Sequence, residues 1–364
     1  MLIQCTKKLL DQLKIKPEAP LEEDPLFSWH ANLLTLNRRK AVAFVNDKTR
    51  YIIVLYGLKV KDFKKLDEIF LQAVRETFRE ESIKENVIEQ FINSSKGIVY
   101  SKTKDRTSVA RMNNSIESME FYSELLTDKS IYQTKLSMKS SRYLVGIGGD
   151  NYIIPCEEMY KELQKFTEGS IFSCKAVEIK VTLQLKNYNV WRRLIVPLNI
   201  TFKELHDILQ EAFGWKNYHL HDFYIFENNS HSPVLHIVDN EESLFYSDKN
   251  VKTQLEDDMK ISEYIPQYRK IKYGYDFGDD WQHYIEVERV YDDYPQNYAM
   301  CIAGHGTTPP EDVGGESGYE EFLKIINDKN NEEHNNILSW AKMQEYKEFN
   351  IDDINREIKS LFMH

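Results

Sequence analysis

The nonapeptide YDFGDDWQH, Tyr275 to His283, concentrates three carboxylates, a glycine, a tryptophan and a histidine. Carboxylates and imidazoles at that density suit two kinds of chemistry: holding a divalent metal ion, and moving protons at a bound water. Upstream, His219 and His221 of YHLHDFYIF stand two residues apart. On one face of a β-strand that spacing sets two imidazoles about 7 Å apart, within reach of one ion. With His283 and Asp280 they make a candidate metal site, provided the two strands are neighbours. The matching reaction is metal-dependent hydrolysis of a phosphodiester or nucleotide, with Asp280 or Glu311 activating water. A structural reading competes with it. Phe277-Gly278-Asp279-Asp280 makes a hairpin turn in which glycine takes a positive φ and aspartate satisfies turn amides, and His283 joins Trp281, Ile285 and Val287 on an inward apolar face.

A second stretch, CIAGHGTTPPEDVGGESGYEEF from Cys301 to Phe322, combines a stiff Pro309-Pro310 with Glu311, Asp312 and a flexible Gly314-Gly315. Such a rigid acidic loop can hold a cation or a basic partner, or it is an ordered connector leading into the next helix. Cys301 and His305 are further metal-capable residues within it. The DFG inside the nonapeptide is a chance match to kinases, because no glycine-rich loop, VAIK-type lysine or HRD-type loop precedes it. P-loop, HExxH and GxSxG signatures are also missing.

The elements that must carry these residues are legible in the hydrophobic pattern. Val177, Ile179, Val181, Leu183 and Leu185 alternate with polar residues, which predicts a half-buried strand. VWRRLIVP returns from it, and Thr201 with Glu204 forms a capping box that starts the helix FKELHDILQEAF, ended by Gly214 as a left-handed cap. RKIKYGYDFG and DWQHYIEVERVY form a hairpin, and helices close the chain. In the first half, KAVAFVND and TRYIIVLYG read as a strand pair, followed by helices at VKDFKKLDEIFLQAVRETF and SVARMNNSIESMEFYSELL. The fold class is therefore α+β, two domains of mixed or antiparallel sheet packed with helices, the second β-grasp-like in its first part. The boundary falls in KFTEGSIFSC, giving domains 1–168 and 169–364.

At 364 residues, with 41% apolar residues, 22 Tyr and 18 Phe, the chain can bury a core in each domain. The four cysteines, Cys5, Cys156, Cys174 and Cys301, lack CxxC spacing, which predicts reduced thiols and no zinc ribbon. No apolar run reaches membrane-helix length and the first residues turn charged early, so the expected location is cytoplasmic. The net charge of −11 is unevenly spread. Met1 to Glu168 holds 27 basic and 24 acidic residues, a net of +3, against 20 and 34 in Gly169 to His364, a net of −14. The first half thus offers the candidate nucleic-acid contacts: Arg38, Arg39 and Lys40, and Lys102, Lys104, Arg106 and Arg111 just before a helix N-terminus that would add amide donors for an anion. A nucleic acid or an acidic protein is the partner expected there.

The ordered blocks WRRLIVPLNITFKELHDILQEAFGWKNYHLHDF, YDFGDDWQHYIEVE, PPEDVGGESGY and EEHNNILSW resemble the Ri-plasmid (pRiA4b) ORF-3-like family, some of whose members are labelled TnpR-like in insertion elements. CTKKLL, WHANLLTLNRRKAVAFVNDKTR and KTKDR resemble a separate uncharacterised domain that accompanies such proteins. The resemblance implies an α+β fold and an intracellular accessory or interaction protein linked to plasmids or mobile elements. Recombinase signatures are lacking, so strand exchange is not implied. Trp215, Trp281, Asp276, Asp279, Glu311 and Asp312, all among the family's recurrent positions, are the expected ligand-binding residues, and the residue spacing makes His219, His221, Asp280 and His283 the expected ligands of a divalent metal.

Overall fold

The structure, a computed structural model, describes residues 1–19, 23–94, 97–228, 232–245 and 250–363. It divides into two compact units, Met1–Ser173 and Cys174–Phe362.

The first unit contains β1 (Leu2–Cys5), α1 (Lys7–Leu13), β2 (Ser28–Leu36), β3 (Arg39–Asn46), β4 (Ile52–Tyr56), α2 (Leu66–Glu80), α3 (Glu85–Asn93), β5 (Val99–Lys102), α4 (Arg106–Phe121), α5 (Thr134–Ser141), the small hairpin β6 (Val145–Gly148) and β7 (Asn151–Ile153), and α6 (Pro155–Thr167). Its five-stranded sheet runs β4-β3-β2-β1-β5, with β1 parallel to both neighbours and the rest antiparallel. The short run LIQC is buried throughout, as a parallel central strand covered on both faces requires. Alternation along β3 sends Ala43 and Val45 toward Met112, Ile116 and Met119 of α4, and Phe44 toward Phe70 of α2, 4.3 Å between ring centroids. Helices thus cover both sides of this sheet.

The second unit contains β8 (Cys174–Leu183), β9 (Val190–Pro197), α7 (Phe202–Phe213), β10 (His221–Phe226), β11 (Pro233–Val238), α8 (Glu241–Phe245), β12 (Thr253–Leu255), β13 (Lys270–Tyr275), β14 (Trp281–Tyr294), β15 (Met300–His305), α9 (Gly315–Asn327), α10 (His334–Met343) and α11 (Ile351–Met363). The eight strands run β12-β11-β10-β13-β14-β8-β9-β15, antiparallel except for β11 with β12. The hairpin–helix–strand opening is present, and β13 and β14 are inserted between its hairpin and β10. Thr201 and Glu204 close the capping box at the start of α7, and Gly214 at φ 72° ends it. The helix lays Phe202, Leu205, Ile208, Leu209, Ala212 and Phe213 into a core shared with Val177, Ile179, Val181 and Leu183 of β8. This packing and the Gly214 cap fix the direction in which the segment Gly214 to Leu220 leaves for the site.

Among the described residues no helix is long and apolar enough to cross a membrane. The four cysteines are unpaired, and burial pushes the Cys5 thiol up to about 12.

Candidate metal centre

The site begins with the turn between β13 and β14, whose ends pair at Tyr275 and Trp281. The positive φ values fall on Asp276 (52°) and Asp280 (56°), not on Gly278 as the sequence reading expected. Aspartate tolerates that region because its short carboxylate can bond its own backbone. Here Asp276 Oδ1 accepts from the amides of Gly278 (2.9 Å) and Asp279 (3.2 Å). Gly278 is needed for a different reason: a Cβ there would stand 3.1 Å from Asp276 Oδ1.

Three segments converge beside this turn. His219 comes from the irregular run after α7, Asp276 from the turn, and Glu311 and Asp312 from the connector between β15 and α9. His219 Nε2 donates to Asp312 Oδ1 at 2.8 Å and lies 3.5 Å from Asp276 Oδ2 and 3.6 Å from Glu311 Oε1. One ligand atom each from His219, Asp276 and Asp312 fits within 4.8 Å, a grouping of metal-binding size. The arrangement is held from behind. Tyr275 Oη donates to Glu311 Oε1 (2.7 Å) and the Lys216 amide to Oε2 (2.9 Å), while the Tyr218 amide donates to Tyr275 Oη (3.1 Å). Burial and then the bond to Glu311 keep the Tyr275 phenol well above its ordinary pKa, so it remains a donor. Asp279 ties the connector to the turn, because its Oδ2 accepts from the Gly314 amide at 3.0 Å and its carbonyl lies where a Cβ on Gly315 would come within 2.9 Å.

The cluster is one-sided. Glu311 and Asp276 are buried, whereas the side chain of Asp312 is 52% exposed and that of His219 31%. Carboxylates gathered without a lysine or arginine among the described residues repel one another, and a hard cation with oxygen and imidazole ligands relieves that repulsion. Alongside lies a cavity of about 430 Å³ lined by Phe213, Trp215, Tyr218, Pro309, Pro310 and Phe349. Buried Arg192 positions its rim: Nε donates to Ala212 O at the end of α7, Nη1 to His305 O and Nη2 to Thr308 Oγ1.

The four expected ligands His219, His221, Asp280 and His283 are not brought together. His219 lies before β10 rather than in it, so the two-residue period that would align it with His221 does not operate. His221 starts the strand, stacks on His206 of α7 at 3.5 Å between ring centroids, and meets Glu256 at 2.9 Å. His283 is sealed in the core, accepting from Trp215 Nε1 at 3.4 Å, and burial lowers its pKa to about 3. Asp280 accepts from Gln282 at the rim of the turn. Trp215 and Trp281 are buried and stacked, 5.5 Å apart, forming the apolar floor under the turn, and Trp215 also lines the cavity. Cys301 is buried and its thiol bonds Ala303 O. Sequence reasoning did not single out His206, Tyr275 or Glu256, though the position of His206 on the buried face of α7 was readable from the helix period.

In the first unit Arg38 occupies the β2–β3 turn at φ 63°, Arg39 pairs with Asp128 at 2.5 Å, and Lys40 bonds Gln12. Lys102, Lys104, Arg106 and Arg111 are exposed and form no ion pair among the described residues. The start of α4 is not the open anion site that was expected, since Asp105 Oδ1 already accepts from the Ser108 amide at 2.7 Å.

Residues 175–357 match the family described as plasmid pRiA4b ORF-3-like protein, and residues 2–158 match a domain of unknown function, DUF6933. Over 187 residues, 51% of this chain and 91% of the relative, the sequence is 32% identical to the uncharacterized protein y4hQ of Sinorhizobium fredii (strain NBRC 101917 / NGR234). A crystal structure of a protein of unknown function from Methanosarcina mazei Go1 aligns with 50% of this chain and 98% of that one, at 29% identity and a TM-score of 0.42.

Proposed function

We propose, from the premise that the chain belongs to the plasmid pRiA4b ORF-3-like family, that it is an accessory protein of plasmids or mobile elements built around a divalent-cation centre. The observation that carries this reading is the meeting of His219, Asp276 and Asp312 within 4.8 Å from three separate segments. Glu311 supports it as a buried carboxylate 3.6 Å from His219. Manganese, magnesium or zinc is the ion chemistry that fits two or three carboxylates with one imidazole.

Calorimetric titration of the chelator-treated protein with manganese and zinc is the test. Saturable 1:1 binding is expected, weakened about tenfold or more by His219→Ala and by Asp312→Asn. No binding of any divalent ion, or equal binding in the double variant, rejects the centre.

One feature favours a hydrolytic role for it. A metal held there would have its exposed side open to water and substrate, and Glu311, with Oε1 3.6 Å from His219 Nε2, would be the neighbouring carboxylate to accept a proton. Manganese-dependent cleavage of bis(p-nitrophenyl) phosphate, lost in Asp312→Asn, supports this role, and inertness with bound metal rejects it. For the first unit, the unpaired Lys102, Lys104, Arg106 and Arg111 support contact with nucleic acid or an acidic partner. A salt-sensitive mobility shift of DNA or RNA that disappears when the four are changed to alanine is the expected result.

A further inference from the structure

The β3–β4 turn of the first unit holds a buried arginine whose guanidinium has no ion-pair partner among the described residues. Asn46 Oδ1 accepts from the amides of Lys48 (3.1 Å) and Thr49 (3.0 Å) and from Thr49 Oγ1 (3.0 Å), while its Nδ2 donates to Leu26 O (2.9 Å). The Arg50 amide returns to Asn46 O at 3.0 Å. This network fixes Arg50 at φ 67°, a left-handed conformation that is costly for a side chain of its kind.

Arg50 is 8% exposed, and among the described residues its guanidinium makes no hydrogen bond or ion pair. The neighbouring carboxylate is already taken. Asp47 Oδ1 lies 2.5 Å from His30 Nδ1 and Oδ2 accepts from Gln4 Nε2 at 2.6 Å. His30 itself is 3% exposed, and its Nε2 is buried without a partner. None of the Arg50 nitrogens is among the sealed, partnerless atoms, so the guanidinium of this largely buried residue keeps some contact with solvent. A second guanidinium, Arg111 of α4, stands within electrostatic reach; burial, then Arg111, push the Arg50 pKa down, and Asp47 only partly offsets them.

We propose that Arg50, held by the β3–β4 turn, is a binding site for a phosphate group, carried by a free nucleotide or by the end of a nucleic-acid strand. A planar guanidinium on a rigid turn, with its donors unspent and Arg111 within electrostatic reach, matches the oxygens of phosphate and loses little freedom on binding. The strained turn then has a purpose that packing alone does not supply. The proposal is independent of the cation centre in the second unit.

The test uses the full chain at low salt. Binding of pyrophosphate and ATP is measured by calorimetry, and binding of short 5′-phosphorylated and 5′-hydroxyl oligonucleotides by fluorescence anisotropy. Saturable 1:1 binding is expected, weakened about tenfold or more in Arg50→Gly and less in Arg111→Ala. Arg50→Gly is the informative variant because glycine accepts the left-handed backbone, so the turn keeps its shape when the guanidinium is gone. Binding of ATP with no preference between the oligonucleotides assigns the site to nucleotides; preference for the 5′-phosphorylated strand assigns it to strand ends. Absence of saturable binding to every probe, or undiminished binding in a folded Arg50→Gly protein, overturns the proposal.

Discussion

Each unit buries a glutamate that tyrosine hydroxyls reach, and the two differ in what else they are given. In the first unit Glu81 takes bonds from Tyr51 (2.8 Å) and Tyr160 (2.7 Å), and Arg142 grips both its oxygens at 2.9 and 2.6 Å. Burial opposes ionisation of Glu81, but the Arg142 charge and these bonds outweigh it, and the carboxyl sits below its ordinary value. In the second unit Glu311 receives Tyr275 Oη and the Lys216 amide, and no guanidinium or ammonium within ion-pairing distance among the described residues. His219 lies 3.6 Å from it, and Asp276 and Asp312 gather round the same imidazole. A buried carboxylate supplied with its counter-charge is architecture; one left beside further carboxylates is poised for a cation from outside.

The sharpest way to separate the units is acid. Burial and the neighbouring His221 lower His206 to about 3, and burial lowers His283 to about 3, from an ordinary 6.5. Both are neutral when folded and take up protons when unfolded. Their contribution is therefore complete above about pH 6.5 and is lost as pH falls toward 3. At about 1.4 kcal/mol per pH unit and histidine, the second unit should lose about 5 kcal/mol between pH 6.5 and 4.5. Glu81, with a depressed pKa, keeps its contribution above the ordinary carboxylate range and loses it only at lower pH. Hydrogen exchange should show amides of α7 opening before those of α2 as pH drops to 4.5; simultaneous opening would break the contrast.

Arg142→Met strands Glu81 in the core and should cost about 3–5 kcal/mol in urea unfolding, with the first unit melting first. Gly315→Ala adds a Cβ 2.9 Å from Asp279 O at a residue with φ 67°. It should cost about 1–2 kcal/mol and loosen the connector that carries Glu311 and Asp312, lowering cation affinity as well. The smallest effect on stability is expected from Asp312→Asn, within about 0.5 kcal/mol without metal, together with about a tenfold loss in metal affinity. If Asp312→Asn instead destabilises the metal-free protein as much as Arg142→Met does, the cluster is architecture like Glu81.

The local features came through from sequence because each is set by neighbours in the chain. The alternation of β8, the Thr201–Glu204 capping box, the Gly214 cap and the β13–β14 hairpin all rest on contacts a few residues apart. The nonapeptide was rightly marked as a turn, yet the positive φ went to Asp276 and Asp280, and at Asp276 the side chain holds the turn through the amides of Gly278 and Asp279. The period-two rule failed at His219, which lies two residues outside the ladder that begins at His221.

By itself the sequence determined the composition of the site: Asp276 in a turn, Glu311 and Asp312 on a stiff connector, His219 just after the helix that Gly214 ends. Only the tertiary structure decided which of them meet. The strand order, the clip from Asp279 to Gly314, and the tyrosine that joins Glu311 to β13 span 35 residues or more, and contacts that distant leave no periodic trace in the chain.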